Sequence, residues 1–436
     1  MRLTPQLPWL DPAEREKIVS LMLKWGLIRF SNERDLPLKS GGKTDIYINL
    51  REARNHPEAI SLISWVFENP LRRLNPDRFI EIPDAVSCFA GPLSIATNIP
   101  YITIRESPKT GRVGKATSIG SAPFGSISAM LDDVITDGAS KEFPFIEAKK
   151  MGLKPDYLIV LVDRQQGWKE KFAELGMDVC VWPGMTLHDV RKILISDLGI
   201  MQRCDSETEE KNPIIVALDN MEWEQALPII DPLRTTGTIL KVNDMLVGRG
   251  IETLIPDLSV YGRVMGDLKC HDIPNTIENV CRRLKKYPPW AVTVHASGGG
   301  EMVKAAVLTL KGTPTKVLAI TVLTSIDPVT CEEIYSRRPM EEVKVLARIA
   351  VEAGAQGFVC SKEEVSMLKA LYPDKITVVP GIRSEGVDAN DQSRTGTPAG
   401  AIANGADYIV LGRQVTNAKD PVAELLRVKK EELGIA

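Results

Sequence analysis

Asp267-Leu-Lys-Cys-His-Asp-Ile-Pro-Asn-Thr276 is the stretch that decides how the chain is read. It places Asp267, Lys269 and Asp272 at the end of an apolar run, residues 263–268, that reads as a β-strand. Two carboxylates this close resist joint ionisation unless a cation lies between them. Alternate strand residues share a face, so Asp267 and Lys269 are expected to point the same way. Outward from the stretch, residues 214–219, 238–242, 291–295, 316–323, 357–360, 376–380 and 408–411 are further strand candidates. Most are continuous Val/Ile/Leu-rich runs, as strands buried on both faces are. Segments between them, such as 340–352 and 362–371, carry apolar residues at helical spacing. Eight strands over about 225 residues fit a (β/α)8 barrel, whose usual size is ~250 residues. A doubly wound open sheet is the competing topology.

The charged residues collect where a barrel does its chemistry, at the carboxyl ends of the strands. Asp219 is expected to end the first strand, Lys241 the second, Asp267 and Lys269 the third, and Arg413 the eighth. One such charge alone is better read as a strand-end residue satisfied by a loop. A set at equivalent ends points to a ligand. Pro380-Gly-Ile-Arg383 follows the seventh strand and Gly412-Arg413 the eighth, the two loops between which barrels often bind phosphate. Arginine offers paired donors to phosphate oxygens. Asp391-Gln392-Ser-Arg394 lies on the segment between these loops. The expected ligand is a small phosphorylated molecule beside an Asp/Lys network.

The full string 267–276 resembles the signature of orotidine 5′-monophosphate decarboxylases. Val-Ala-Leu-Asp219, Leu-Lys-Val242, Val-His-Ala-Ser-Gly-Gly299, Thr-Val-Leu-Thr-Ser325, Val-Pro-Gly-Ile-Arg383, Asp-Gln-Ser-Arg-Thr395 and Gly412-Arg413 follow that family's order across residues 213–428. The resemblance implies that Lys241, Asp267, Lys269 and Asp272 form the catalytic Lys-Asp-Lys-Asp network. It implies that Asp272 enters the neighbouring subunit's site, hence a homodimer. Asp219 and Lys241 resemble ribose contacts, Thr324 the residue near the pyrimidine, and Arg383, Gln392, Gly412 and Arg413 the phosphate grip; Thr276 joins the substrate-binding positions. Decarboxylation in this family implies neither metal nor organic cofactor. Cys270 stands where an aromatic is common, and Asn243 where glycine is frequent. Barrels with a shorter D-x-K-x-x-D pattern act on sugar phosphates with Mg²⁺, and that alternative stays open here.

The first half also alternates strands and helices. Residues 13–25 and 167–175 read as helices, and 129–134, 156–162 and 177–182 as buried strands of a parallel sheet. Leu131-Asp132-Asp133-Val-Ile-Thr136-Asp137-Gly138-Ala-Ser140 reads as a strand, two acids and a small-residue loop opening a helix. Such a loop offers backbone N–H groups to phosphate; a simple helix cap is the plainer reading. The motif resembles the diphosphoribosyl-binding loop of type I phosphoribosyltransferases. Residues 38–51 and Asp163-Arg164-Gln-Gln-Gly167 resemble orotate phosphoribosyltransferase segments. The resemblance implies Lys39 on the diphosphate, Arg105 and Lys109 on the mobile catalytic loop that works across a dimer interface, Tyr47 and Ile48 around the base, and Thr136 and Arg164 on orotate. It also implies Asp132 and Asp133 on ribose, and Gly138 and Ser140 in the phosphate loop. Mg²⁺ would accompany the phosphoribosyl diphosphate. Three departures stand out: Asp137 puts a carboxylate in the phosphate loop, residues 88–97 are shorter than the family's diphosphate-contacting turn, and the 105–115 loop lacks histidine, leaving Arg112 and Lys115 as substitutes.

Residues 203–212 are polar apart from Cys204, which places a boundary near 207. The expectation is therefore α/β throughout: a type I phosphoribosyltransferase-like parallel sheet over 1–206, then a TIM barrel over 207–436. This order is similar to that of bifunctional UMP synthases, which join orotate to phosphoribosyl diphosphate and decarboxylate the orotidine 5′-phosphate formed. A decarboxylase with a silent, ligand-binding first domain is the alternative. The net charge of −3 leaves no nucleic-acid footprint. No apolar run is long enough to span a membrane, and the first residues lack a signal-peptide core. Seven dispersed cysteines without CxxC spacing, and four histidines, suit reduced thiols in a cytoplasm rather than a zinc site.

Overall fold

The computed structural model describes residues 8–38, 42–105, 117–201, 212–386 and 396–435. It divides into two compact units, 1–202 and 203–436. The expected boundary near 207 lies outside the described residues.

The first unit is built on a six-stranded sheet. In spatial order its strands are Cys180–Thr186, Lys154–Asp163, Ile127–Ile135, Arg78–Glu81, Tyr101–Ile104 and Ser118–Ile119. All pairs are parallel except the last. The central strands are buried along most of their length, which explains their unbroken apolar sequence. The edge strand corrects the expectation over 177–182. The strand begins at Cys180 rather than 177 and runs on through Pro183 and Gly184 to Thr186. An edge strand tolerates proline because one side carries no ladder bond. That free side gives the Pro183 and Gly184 carbonyls to the Trp9 and Leu10 amides at 3.2 and 3.4 Å. The first helix, Pro12–Lys24, starts one residue earlier than its pattern suggested. Asp11 sets that start: its carboxylate accepts from Glu14 N, and Glu14 returns the bond to Asp11 N.

The second unit is a closed barrel of eight parallel strands in sequence order, which excludes the open sheet. The strands are Ile214–Ala217, Ile239–Val242, Arg263–Cys270, Ala291–His295, Lys316–Ile320, Gly357–Val359, Ile376–Val379 and Tyr408–Leu411. Ile215, Ile239, Met265, Ala291, Leu318, Val378 and Tyr408 pack together as a core. Several strand ends differ from the sequence reading: the fifth stops at Ile320 rather than 323, and the sixth and seventh each stop one residue early. The first stops at Ala217, so Asp219 lies in the following loop, where Asn220 turns the chain with φ +59°. The third runs past Leu268 to Cys270, with a register shift between Gly266 and Cys270 where Lys269 takes φ +47°. Among the described residues no helix is long and apolar enough to cross a membrane.

Candidate active site

The barrel strands deliver their carboxyl-terminal residues to one cavity of about 710 Å³. Asp219, Lys241, Asp267, Lys269, Thr324, Arg383, Gly412 and Arg413 all line it, so most of the expected decarboxylase positions converge. Lys241 Nζ lies 2.7 and 2.8 Å from the two Asp219 carboxylate oxygens and 3.3 Å from Asp267 Oδ2. Lys269 Nζ donates to the same Asp267 Oδ2 at 2.5 Å. Asp267 Oδ1 accepts from the Thr293 hydroxyl at 2.8 Å, and Thr293 Oγ1 accepts from Lys269 N at 2.9 Å.

The bulge in the third strand is what aims these groups. A strict two-residue alternation would place Asp267 and Lys269 side by side. Instead the left-handed Lys269 backbone, a conformation costing a non-glycine residue about 1–2 kcal/mol, bends the strand end. The ammonium then folds back onto the Asp267 carboxylate. Burial alone would push the Asp267 carboxyl up. The Lys241 and Lys269 ammonium groups, with hydrogen bonds from Lys269 and Thr293, outweigh it and hold the pKa below the usual carboxylate value. Lys241 is almost fully enclosed, whereas the Lys269 side chain keeps 36% exposure. Within this network the cavity therefore meets a fixed carboxylate and the accessible ammonium of Lys269. Beyond the bulge, His295 ends the fourth strand 5.5 Å from the His271 ring. Burial, then the neighbouring His271 and Lys269, lower its pKa and favour the neutral ring.

Three expected positions stand elsewhere. Asp272 is exposed, with its carboxylate accepting from Ile273 N at 2.7 Å, and it does not line its own chain's cavity. Thr276 sits in the first turn of helix Pro274–Lys286, also away from the cavity. Gln392 lies outside the described residues. The sequence reading missed Thr293 and Gln414. Thr293 is a buried hydroxyl inside the run Ala-Val-Thr-Val-His, and a polar residue in an otherwise apolar barrel strand is the signal that marks it.

In the first unit, Lys39, Lys109, Arg112 and Lys115 lie outside the described residues. Arg105 follows the strand Tyr101–Ile104, its N–H donating to Thr117 O at 2.7 Å. Tyr47 and Ile48 lie on strand Ile46–Ile48. Arg164 comes to the same place: its guanidinium donates to Ile46 O at 3.1 Å and Thr44 Oγ1 at 2.7 Å. Asp132 and Asp133 lie inside the strand Ile127–Ile135, as the expected strand 129–134 has them, with Asp132 in register with Val160. Lys141 Nζ forms a buried ion pair with Asp132 and also donates to Ser140 Oγ. Asp133 is pushed up to about 7, by burial first and then by Asp132, against the pull of Lys141 and Arg51. Thr136 is half-buried, and Ser140 is exposed. Gly138 has φ +80°, and a Cβ there would meet the Phe172 ring at 2.5 Å, so glycine is required. Asp137 Oδ1 accepts from Ala139 N at 3.1 Å, occupying one of the loop's own amides.

Residues 212–428 match the model of the orotidine 5'-phosphate decarboxylase / HUMPS family. An orotidine 5'-phosphate decarboxylase of Marinomonas sp. (strain MWYL1) is 39% identical over 231 residues, covering 52% of this chain and 98% of that protein. One from Chromobacterium violaceum is 38% identical, covering 52% of this chain and 93% of that protein. Among solved structures, the orotidine 5'-phosphate decarboxylase from Lactobacillus acidophilus superposes with TM-score 0.45 at 37% identity, over 51% of this chain and 99% of that one. Leishmania donovani UMP synthase gives TM-score 0.38 at 26% identity, over 44% of this chain and 40% of that one. The barrel assignment rests on the strand topology, not on these superpositions. Through its second unit, the chain belongs to the orotidine 5'-phosphate decarboxylase / HUMPS family.

Proposed function

We propose that the barrel decarboxylates orotidine 5′-phosphate to UMP. The observation that carries this reading is the Lys241–Asp267–Lys269 network facing the same cavity as the two arginine-bearing loops. Arg383, Arg413, Gly412 and Gln392 would hold the 5′-phosphate, Asp219 and Lys241 the ribose, and Thr324 the pyrimidine side. The substrate carboxylate would then lie against Asp267, which stays ionised because its pKa is lowered. Two adjacent anions repel, and departure of neutral CO₂ shifts the negative charge from the carboxylate beside Asp267 onto C6. The C6–carboxylate bond breaks with its electron pair left on C6. Lys269 opposes that negative charge and then delivers its proton to C6. Neither step calls on a metal. Purified protein given orotidine 5′-phosphate and EDTA should yield UMP and CO₂. Lys269→Ala should lose turnover by about three orders of magnitude or more while still binding UMP; near-normal turnover by that variant, or abolition by EDTA, would sink the reading. EDTA sensitivity would instead favour a Mg²⁺-dependent sugar-phosphate reaction.

For the first unit we propose transfer of phosphoribosyl to orotate, which would make the chain bifunctional. Support comes from the strand–acid pair–loop order at 131–140 and the approach of Arg164 to residues 44–48. Two contacts favour a second reading, a ligand-binding but silent domain. Lys141 already holds Asp132, one of the two acids meant for ribose, and Asp137 takes an amide of the loop meant for phosphate. The acids present also do not make a resident Mg²⁺ site: Lys141 places a cation at Asp132, and no group of three or more His, Cys, Asp or Glu among the described residues could hold a metal. Supplying orotate, phosphoribosyl diphosphate and Mg²⁺ separates the readings. UMP formation supports the bifunctional one, and binding without product the silent one.

A further inference from the structure

The two arginine loops are tied to each other and to the carboxyl-terminal helix. Ser384 follows Arg383, and Gln414 follows Arg413. Gln414 Oε1 accepts from Ser384 N at 2.9 Å, while its Nε2 donates to Ser384 Oγ at 2.5 Å and to Glu424 Oε1 at 2.8 Å. Arg427 closes helix Pro421–Arg427 and donates to Ser384 Oγ at 2.8 Å and Glu424 Oε1 at 2.8 Å. Its other terminal nitrogen lies 2.9 Å from Glu432 Oε1, which also accepts from the Ser384 hydroxyl. A buried serine is thus met by an amide, a guanidinium and a carboxylate, each from a different element. The hydrogen bond from Arg427 is the first cause holding the Glu424 carboxyl below its ordinary pKa, so Glu424 stays charged at neutral pH.

We propose that Arg427, Glu432 and Ser384, acting through Gln414, are positioning residues that set the spacing of Arg383 and Arg413 for a phosphate. The inference rests on the decarboxylase reading, which supplies the phosphate. Paired guanidinium donors bind a phosphate only when both loops stand at the right separation. The network touches the residue after each arginine, and Arg427 and Glu432 lie outside the cavity lining. The chemistry at Lys269 is built on a different strand. Loosening the network therefore weakens binding of the phosphate end while the reacting end is unchanged once the site is filled.

The test measures decarboxylation of orotidine 5′-phosphate and inhibition by UMP and by uridine, using the full chain and its Arg427→Met variant. A rise in KM of about tenfold, corresponding to ~1.4 kcal/mol, is expected, with kcat kept within about twofold. UMP inhibition should weaken by the same factor and uridine inhibition should not change. Arg427→Lys, which keeps the charge and a donor, should recover most of the loss. If Arg427→Met does not fold, Ser384→Ala is read in the same way. An unchanged KM, a fall in kcat alone, or an equal loss for uridine overturns the inference. A parent protein that leaves orotidine 5′-phosphate intact sinks the decarboxylase reading instead.

Discussion

Among the described residues Asp267 gathers three partners on one buried carboxylate, and Thr293 is the one without a charge. A hydrogen bond to a charged group contributes about 1.5–3 kcal/mol, roughly ten- to hundredfold in rate if lost at the reacting centre. Thr293→Val keeps the shape and removes the hydroxyl, so kcat/KM for decarboxylation is expected to fall by about that factor; parental kcat/KM would show the hydroxyl to be dispensable. Asp133 makes the opposite case, a carboxyl held protonated. Its folded pKa of about 7 lies above the ordinary 3.8. The folded state therefore binds more protons between those values, and stability falls as pH rises through that window and levels off above it. Asp133→Asn removes the titration, so its melting temperature should gain more over the parent at pH 8 than at pH 5. Equal gains at both pH values would mean Asp133 ionises normally. The sequence displayed Asp267, Lys269 and the Asp132–Asp133 pair, because charges in apolar runs are conspicuous. It did not display the partners of Thr293 or Lys141, which lie 26 and 9 residues away and meet them only after folding.

Each barrel strand is short and apolar, so its existence was legible from composition, and its end was not. Ends depend on local backbone: the Asn220 turn moves Asp219 off the first strand, and left-handed Lys269 extends the third. Gly357, at the start of the sixth strand, is another such determinant. A Cβ there would meet Ile376 O at 2.2 Å and Ile376 Cβ at 2.7 Å on the seventh strand. Gly357→Ala must therefore push these paired strands apart, at a cost of about 1–3 kcal/mol for overpacking. Urea denaturation followed by circular dichroism should show a lower midpoint for the barrel transition, and an unchanged midpoint would mean the seventh strand yields freely. In the first unit the edge strand was expected over 177–182 and lies over Cys180–Thr186, because its place at the sheet edge lets Pro183-Gly184 stay extended.

At the scale of the whole molecule, Asp272 is the informative position. It is exposed and outside its own cavity, and we propose that it completes a partner's site in a homodimer. Lys269→Ala and Asp272→Ala proteins, each inactive, should regain about a quarter of parental activity when mixed under conditions of subunit exchange, because a mixed two-fold dimer keeps one intact site. No recovery despite exchange would place Asp272 outside any shared site. The sequence by itself determined the α/β class, the existence of eight strands in the second unit and most of the charged residues that meet at their ends, because burial on both faces and charge at strand termini are written in residue type; closure of those strands into a barrel was decided by the tertiary structure. Only the tertiary structure decided how those residues act on one another. The bulge that turns Lys269 onto Asp267, the Lys141 ion pair that claims Asp132, and the Gln414 bridge between the arginine loops are all contacts between separate elements. Residue type fixes what a side chain can do; packing alone fixes what it touches.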